Sequence, residues 1–411
     1  MTYLPQSVEK PFFRDAFGKT RVSNPFTLFD ANFINSDQEL LFDEKLVGTG
    51  TIIRNVGSYL VLDVPAVASD RVVKQSKRYV NYQPGKSLQW LMTGVLETSG
   101  GATGIIARMG MFDNHSDKTV DSGGDGTFFE LNGTTLYVVC RSYVSGSQVD
   151  VKTAQSAWNG DRLDGNGGAT NPSGITLDPS KTNIYSADIE WLGVGSIRYS
   201  IIINGTPYLV HTIHNANLTL QVPYMRRATL PIRWEIENVT GANTGEMIAV
   251  CCTVISEGGF NPRGKIFAAG NHTTPVSVSG ATPVLSIRLK DAYNRVTVNP
   301  VSLKILSSSN ALFNYKVWIG TSLTAPTWTS INANSAQEVD VVASSVNTTG
   351  AILVDSGYFT QAKSGLVTSF ENVLLVASDI AGTSDILTVI AEKLGGGSSD
   401  VYCSLQLQEW E

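Results

Sequence analysis

Charge is scarce in this sequence: 16% of its 411 residues are Asp, Glu, Lys or Arg, against roughly a quarter in an average soluble domain. The surface must therefore be largely Ser, Thr, Asn and Gly, which suits β-sheet faces and buried interfaces. Basic excess is also missing, since the formal net charge is −6. That balance argues against a protein that wraps nucleic acid. No apolar run approaches the ~18 residues of a membrane-crossing helix, so membrane insertion is not expected. The opening Met1-Thr2-Tyr3-Leu4-Pro5-Gln6 lacks a basic region followed by an apolar one, so no signal peptide is read.

Chemistry-bearing residues are equally thin. The four cysteines, Cys140, Cys251, Cys252 and Cys403, form no C-x-x-C pair and sit in apolar runs, which points to reduced core thiols. The four histidines include His211 and His214, three apart in a strand-like run. Side chains alternate faces there, so these two cannot share a metal. G-x-S-x-G, H-E-x-x-H and P-loop patterns are absent, which removes the usual hydrolase and NTPase motifs. The expectation is a non-enzymatic protein with no cofactor and no metal.

What the sequence has in quantity is strand and turn. Short β-branched and aromatic runs recur between clusters of Gly, Pro, Asn and Asp, and the 38 glycines fit many tight turns. The fold class expected is all-β. Three parts are read: an extended N-terminal arm over residues 1–48, a large antiparallel sandwich over 49–257, and a smaller immunoglobulin-like or jelly-roll sandwich over 258–411. The second boundary follows a change of composition at Glu257-Gly258-Gly259-Phe260-Asn261-Pro262. In the middle part, Ser196 to Ile203 runs into Asn204-Gly205, a favoured two-residue hairpin turn, and Tyr208 to Ile213 returns. With Trp191 on the strand before, this looks like the pattern of concanavalin-like jelly rolls.

The arm carries Phe12, Phe13, Phe17, Phe26, Phe29, Phe33 and Phe42 among Pro5, Pro11 and Pro25. So many rings cannot all remain in water without cost. The arm either lies on its own domain or clips onto a neighbouring subunit, and the first six of these rings are the candidate assembly contacts. A second candidate is the aperiodic stretch from Trp158 to Pro179. Its Trp158, Asn159, Asp161, Asp164, Asn166 and Asn171 are the residue types of a glycan or contact loop.

Two carboxylate pairs have the spacing for chemistry. Glu235 and Glu237 share a strand face, as do Asp188 and Glu190, and about 5–5.5 Å between carboxyls would suit a retaining glycosidase. Alternating acid and apolar residues are also the ordinary mark of a half-buried strand, with Arg198 and Arg233 available as cross-strand partners. The loop from Asp113 to Gly126 could gather Ca²⁺, but Gly123 breaks the EF-hand pattern. Basic residues cluster at Arg71, Lys74, Lys77 and Arg78 and again at Arg226-Arg227, where acidic neighbours would meet them.

The segment Arg14-Asp15-Ala16-Phe17-Gly18-Lys19-Thr20-Arg21-Val22-Ser23-Asn24-Pro25-Phe26-Thr27-Leu28-Phe29-Asp30 resembles one near the start of a family of virion-associated proteins. Members come from tailed, particularly marine, bacteriophages, with relatives in large DNA viruses. Tyr82-Gln83-Pro84-Gly85-Lys86-Ser87, Asp188-Ile189-Glu190-Trp191-Leu192-Gly193-Val194-Gly195 and Leu230-Pro231-Ile232-Arg233-Trp234-Glu235-Ile236-Glu237-Asn238 are further matches. The resemblance covers the arm and first sandwich and implies a structural virion protein made in the host cytoplasm. A tail-associated place (fibre, spike or baseplate region) is favoured over a capsid decoration. Partners expected are copies of itself, as a trimer or larger, and other virion proteins. A receptor module that binds a host-surface glycan is the alternative reading.

Overall fold

The computed structural model describes residues 24–117, 123–218, 221–261, 264–360, 366–370 and 375–410. Among them there is no α-helix, only strands and short 3₁₀ turns. Strand β1 (Phe26–Asn32) opens the first body. Then follow β2 (Phe42–Val47), β3 (Thr51–Asn55), β4 (Tyr59–Val64), β5 (Asp70–Ser76), β6 (Leu88–Val95) and β7 (Ile105–Phe112). The next four are β8 (Gly126–Asn132), β9 (Thr135–Ser142), β10 (Val149–Ala154) and β11 (Asn183–Ile189). The last are β12 (Ile197–Ile203), β13 (Thr206–Ile213), β14 (Ile232–Asn238) and β15 (Gly245–Ser256).

These strands form two antiparallel sheets face to face. The first runs β13-β12-β11-β6-β15-β4-β3, with β1 also on β15, and the second runs β10-β9-β8-β7-β14-β5-β2. This is a concanavalin-like jelly-roll sandwich, in the all-β class expected. Alternation drives it: in β4, Leu60, Leu62 and Val64 are buried while the residues between them are half-exposed. Trp90, Phe129, Tyr185, Tyr199 and Trp234 fill the space between the sheets. Asn204 and Gly205 have φ of 52° and 76°, the left-handed pair that a type I′ hairpin requires.

The second body is a smaller sandwich with its own core, from Ala269 to Leu407. Its strands Lys265–Gly270, Thr297–Ser307, Leu366–Ser369 and Ser399–Trp410 make one sheet, joined by Val276–Val278. The other sheet centres on Thr282–Leu289, Leu387–Lys393 and Phe313–Ile319. The two bodies meet through polar contacts. Lys77 pairs with Asp385 at 3.4 Å, Arg295 with Asp113 at 3.0 Å, and the Ile380 amide donates to Asp43 at 2.7 Å.

The expectation of an extended arm to residue 48 is corrected. β1 pairs with β15 and β2 with β5, so both belong to the first sandwich. Phe29 and Phe33 are 5% and 0% exposed, with Phe33 against Phe42 at 5.5 Å and Trp234 at 5.7 Å. These rings satisfy their apolar demand within their own core. Phe26 is half-exposed and stacks on Phe260 of the same chain at 5.5 Å. Phe12, Phe13 and Phe17 lie outside the described residues.

Candidate functional site

The outer face of the second sheet holds the acidic pair singled out in the sequence. Arg233, Glu235 and Glu237 project from β14 away from the core, beside Arg108 of β7 and Glu130 of β8. Arg108 bonds to Glu130 at 2.8 Å, to Glu237 at 3.1 Å and to Glu235. Arg233 grips Glu235 on its own strand and Asp117 at 2.7 Å. Asp117 also takes Arg71 at 2.6 Å and Lys45 at 2.8 Å. Burial alone would raise the Glu235 carboxyl, but the guanidinium groups of Arg233 and Arg108 outweigh it and hold the group at about 2. A glycosidase acid needs a raised pKa. This pair is an ion network that fixes the sheet face, and Arg233 joins it along its strand instead of across.

The other sequence candidates are placed as follows. Trp158 is 2% exposed, edge-on to Phe129, with its indole N–H donating to the Thr153 carbonyl at 3.1 Å. Asp161 accepts from the Leu163 and Ser173 amides, and Asp164 from the Asn166 amide and Asn171. Asn171 is fully buried, and Asn159 is clamped to Thr212 through both amide atoms. The loop thus spends its ring and most of these polar groups on contacts within the chain. Among the described residues of the 113–126 loop, the acids are likewise committed. Asp113 accepts from Asp125, and Asp125 from Tyr143 and Arg226. Among the described residues no His, Cys, Asp and Glu group could hold a metal. His211 accepts from the Asn159 amide, while His214 lies against Ser196. The basic cluster finds acids within the chain, Lys74 on Glu44 and Arg71 on Asp117.

A cleft of about 410 Å³ opens where the two bodies meet. Tyr82, Pro84, Trp191, Arg227, Tyr293 and Arg295 line it. Tyr82 is placed by a stitch between distant segments: Val80 bridges Leu230, and the Tyr82 amide donates to Thr229 at 3.4 Å. Trp191 stands in the turn after β11, which Gly195 makes possible. A Cβ on Gly195 would lie 1.8 Å from the Glu190 carbonyl oxygen. The Trp191 indole donates to the Met225 carbonyl at 2.8 Å, which fixes the ring plane. Tyr82 and Trp191 meet at 5.9 Å and nearly perpendicular, at 78°. Tyr293, 39% exposed, comes from the 3₁₀ turn Asp291–Tyr293 of the second body. Arg295 is tied to Asp113 behind the wall.

Such a cleft offers rigid apolar ring faces, with the Arg227 and Arg295 side chains in its lining. Sequence reasoning did not assemble it. Tyr82, Trp191 and Arg227 each lay in a segment noted for another reason, and Tyr293 lay in none.

No family model and no curated protein matches this chain. Among solved structures it is similar to a Bacillus licheniformis β-glucanase, at 11% identity over 57% of this chain and 99% of that one, TM-score 0.35. An endo-β-1,4-glucuronan lyase from Trichoderma reesei gives 12% identity over 56% and 95%, TM-score 0.38. Peanut lectin gives 10% over 57% and 98%, TM-score 0.33. Likeness at this level assigns no residue and no activity. It does correct the non-enzymatic expectation, because glucanases and a lyase stand beside lectins among these structures, and a shared fold does not separate catalysis from binding.

Proposed function

We propose that this protein is a carbohydrate-binding component of a tailed-virus particle, with the glycan seated in the cleft of Tyr82, Trp191 and Tyr293. The cleft carries the reading. Two perpendicular rings, one locked through Met225, form a preformed corner, and sugars present C–H faces that stack on such rings while their hydroxyls take polar donors. The particle assignment is supported by the resemblance of the N-terminal and first-sandwich segments to virion-associated proteins.

The test is a glycan array with the full chain, followed by titration of hits against wild type, Tyr293→Ala and Trp191→Ala. Tyr293→Ala removes an exposed ring and tests the site without loss of core. The expected result is binding weakened about tenfold or more by either change. Hits whose affinity ignores both substitutions would overturn the site.

Self-assembly on the particle is a second reading, favoured by one flank of the first sandwich. β2 and β3 end their sheets on the same side. Leu46, Val47 and Ile53 there are 51%, 37% and 60% exposed. Open edges with apolar side chains are natural pairing surfaces. Light scattering on wild type beside Ile53→Lys tests it: loss of an oligomer supports this flank, and an unchanged mass rules it out.

A further inference from the structure

We infer that the glycan is an uncharged chain of two or more sugar rings, with its second ring in a hollow beside the cleft, against Trp410 and Phe260. This rests on the glycan-binding reading above and adds the ligand's class and a second subsite. The hollow measures about 290 Å³. Tyr82 and Pro84 line both it and the cleft, so a ligand that leaves one over this ridge enters the other.

Three distant stretches of chain build the hollow. The Gln83 side-chain amide bonds the main chain of Asn261 twice, donating to its carbonyl at 2.6 Å and accepting from its N–H at 3.1 Å. Lys86 donates to the same Gln83 oxygen at 2.9 Å. Phe260 lies between Phe26 of β1 and Trp410 of the last strand, its centroid 5.5 Å from each. The walls are therefore set before a ligand arrives, which lowers the ordering cost of binding. Phe260 and Trp410 are only half-buried, and open ring faces of this kind take the C–H faces of sugars. Trp410 also carries a buried indole N–H with no acceptor among the described residues, a cost that a sugar hydroxyl would relieve.

Charge around the cleft and the hollow is already spent. Arg295 pairs with Asp113 at 3.0 Å, and Arg227 is engaged within the chain. Lys86 stands with Asp188, Glu190 and Glu257 around a further hollow on the outer face of the first sheet. Among the described lining residues, a charged sugar would find every cation answered and would give up hydration for little return. A neutral sugar needs only ring faces and hydrogen-bonding groups. Asn261 supplies one such group, since the clamp with Gln83 uses its main chain and leaves its side-chain amide in the lining.

The test is calorimetric titration of the full chain with glucose, galactose and mannose oligomers of one to three rings, beside their uronate counterparts, at low and high salt. Wild type is compared with Tyr293→Ala, Trp410→Ala and Asn261→Trp. Asn261 is exposed, so the last change fills the hollow without removing a core group. The expected result is that a second ring tightens the binding of one neutral series tenfold or more, with little effect of salt. Trp410→Ala and Asn261→Trp should each cancel that gain and leave single-ring affinity unchanged. No gain on lengthening, or a gain that survives Asn261→Trp, would overturn the second subsite; binding still lost in Tyr293→Ala would then leave the cleft standing. A uronate member bound tenfold tighter than its neutral counterpart would overturn the uncharged class. No binding by any member would overturn both this inference and the glycan reading.

Discussion

Replacing Phe33 by alanine is predicted to destabilise the first sandwich by about 3–5 kcal/mol, the range for truncating a buried Phe. The magnitude follows from its setting. Phe33 is 0% exposed, its ring meets Phe42 at 5.5 Å and Trp234 at 5.7 Å, and the Lys74 ammonium lies 5.9 Å from its centroid. Strands β1 and β2 hold it from both sides, so the site cannot collapse cheaply and the cavity term stays large. At about 1.4 kcal/mol per tenfold, the unfolding constant should rise by at least two orders of magnitude. Equilibrium urea unfolding followed by tryptophan fluorescence reads this directly, repeated at two widely separated protein concentrations. A core role predicts the same loss at both. If Phe33→Ala kept wild-type stability and reduced only the mass of an oligomer, the ring would be an assembly anchor and its placement in the core would be refuted.

The buried ion network gives a second prediction. Glu235→Gln should cost about 3–5 kcal/mol, because it leaves Arg233 and Arg108 short of a buried counter-charge. In the wild type, Glu235 sits near 2 against an ordinary 4.5, and Asp117 is also lowered, since Arg233 and Arg71 outweigh its burial. Their contribution is full above about pH 4.5 and drains away as pH falls toward 2; acid titration of unfolding, flat in that window, would contradict it. At the junction the sign is opposite. Burial raises the Asp43 carboxyl despite the amide it accepts from Ile380, so protonation is favoured in the folded state and mild acid stabilises. Asp43→Asn, which keeps an acceptor for Ile380, should raise the denaturation midpoint at neutral pH and flatten that gain; a lower midpoint at every pH would count against it. Deletion through residue 48 should unfold the first sandwich, because it removes β1 and β2 from their pairing with β15 and β5. Denaturation of the truncated chain checks this, and wild-type stability would contradict the strand assignment.

The all-β class was legible because alternation is local: β4 and the Asn204-Gly205 hairpin read correctly from a few neighbouring residues. The first strand did not. A bulge in its pairing between Thr27 and Phe29 puts Leu28 and Phe29 side by side in the core, which erases the period of two and left proline and phenylalanine looking like an arm. The internal bonding of the Trp158–Asn171 loop was not legible, because composition shows which groups are polar, not that they bond to one another. The cleft was the least legible feature. Its rings come from positions 82, 191 and 293, and they meet only because Val80 lies along Leu230 and the second body docks beside them.

The central claim is the place of the ligand, and the most direct measurement is a crystal structure of the full chain with its tightest-binding array oligosaccharide. Sugar rings should lie against Trp191 and Tyr82, beside Tyr293. Sugar seated instead on the Trp158–Asn171 loop, or on the charged face around Glu235, would contradict it.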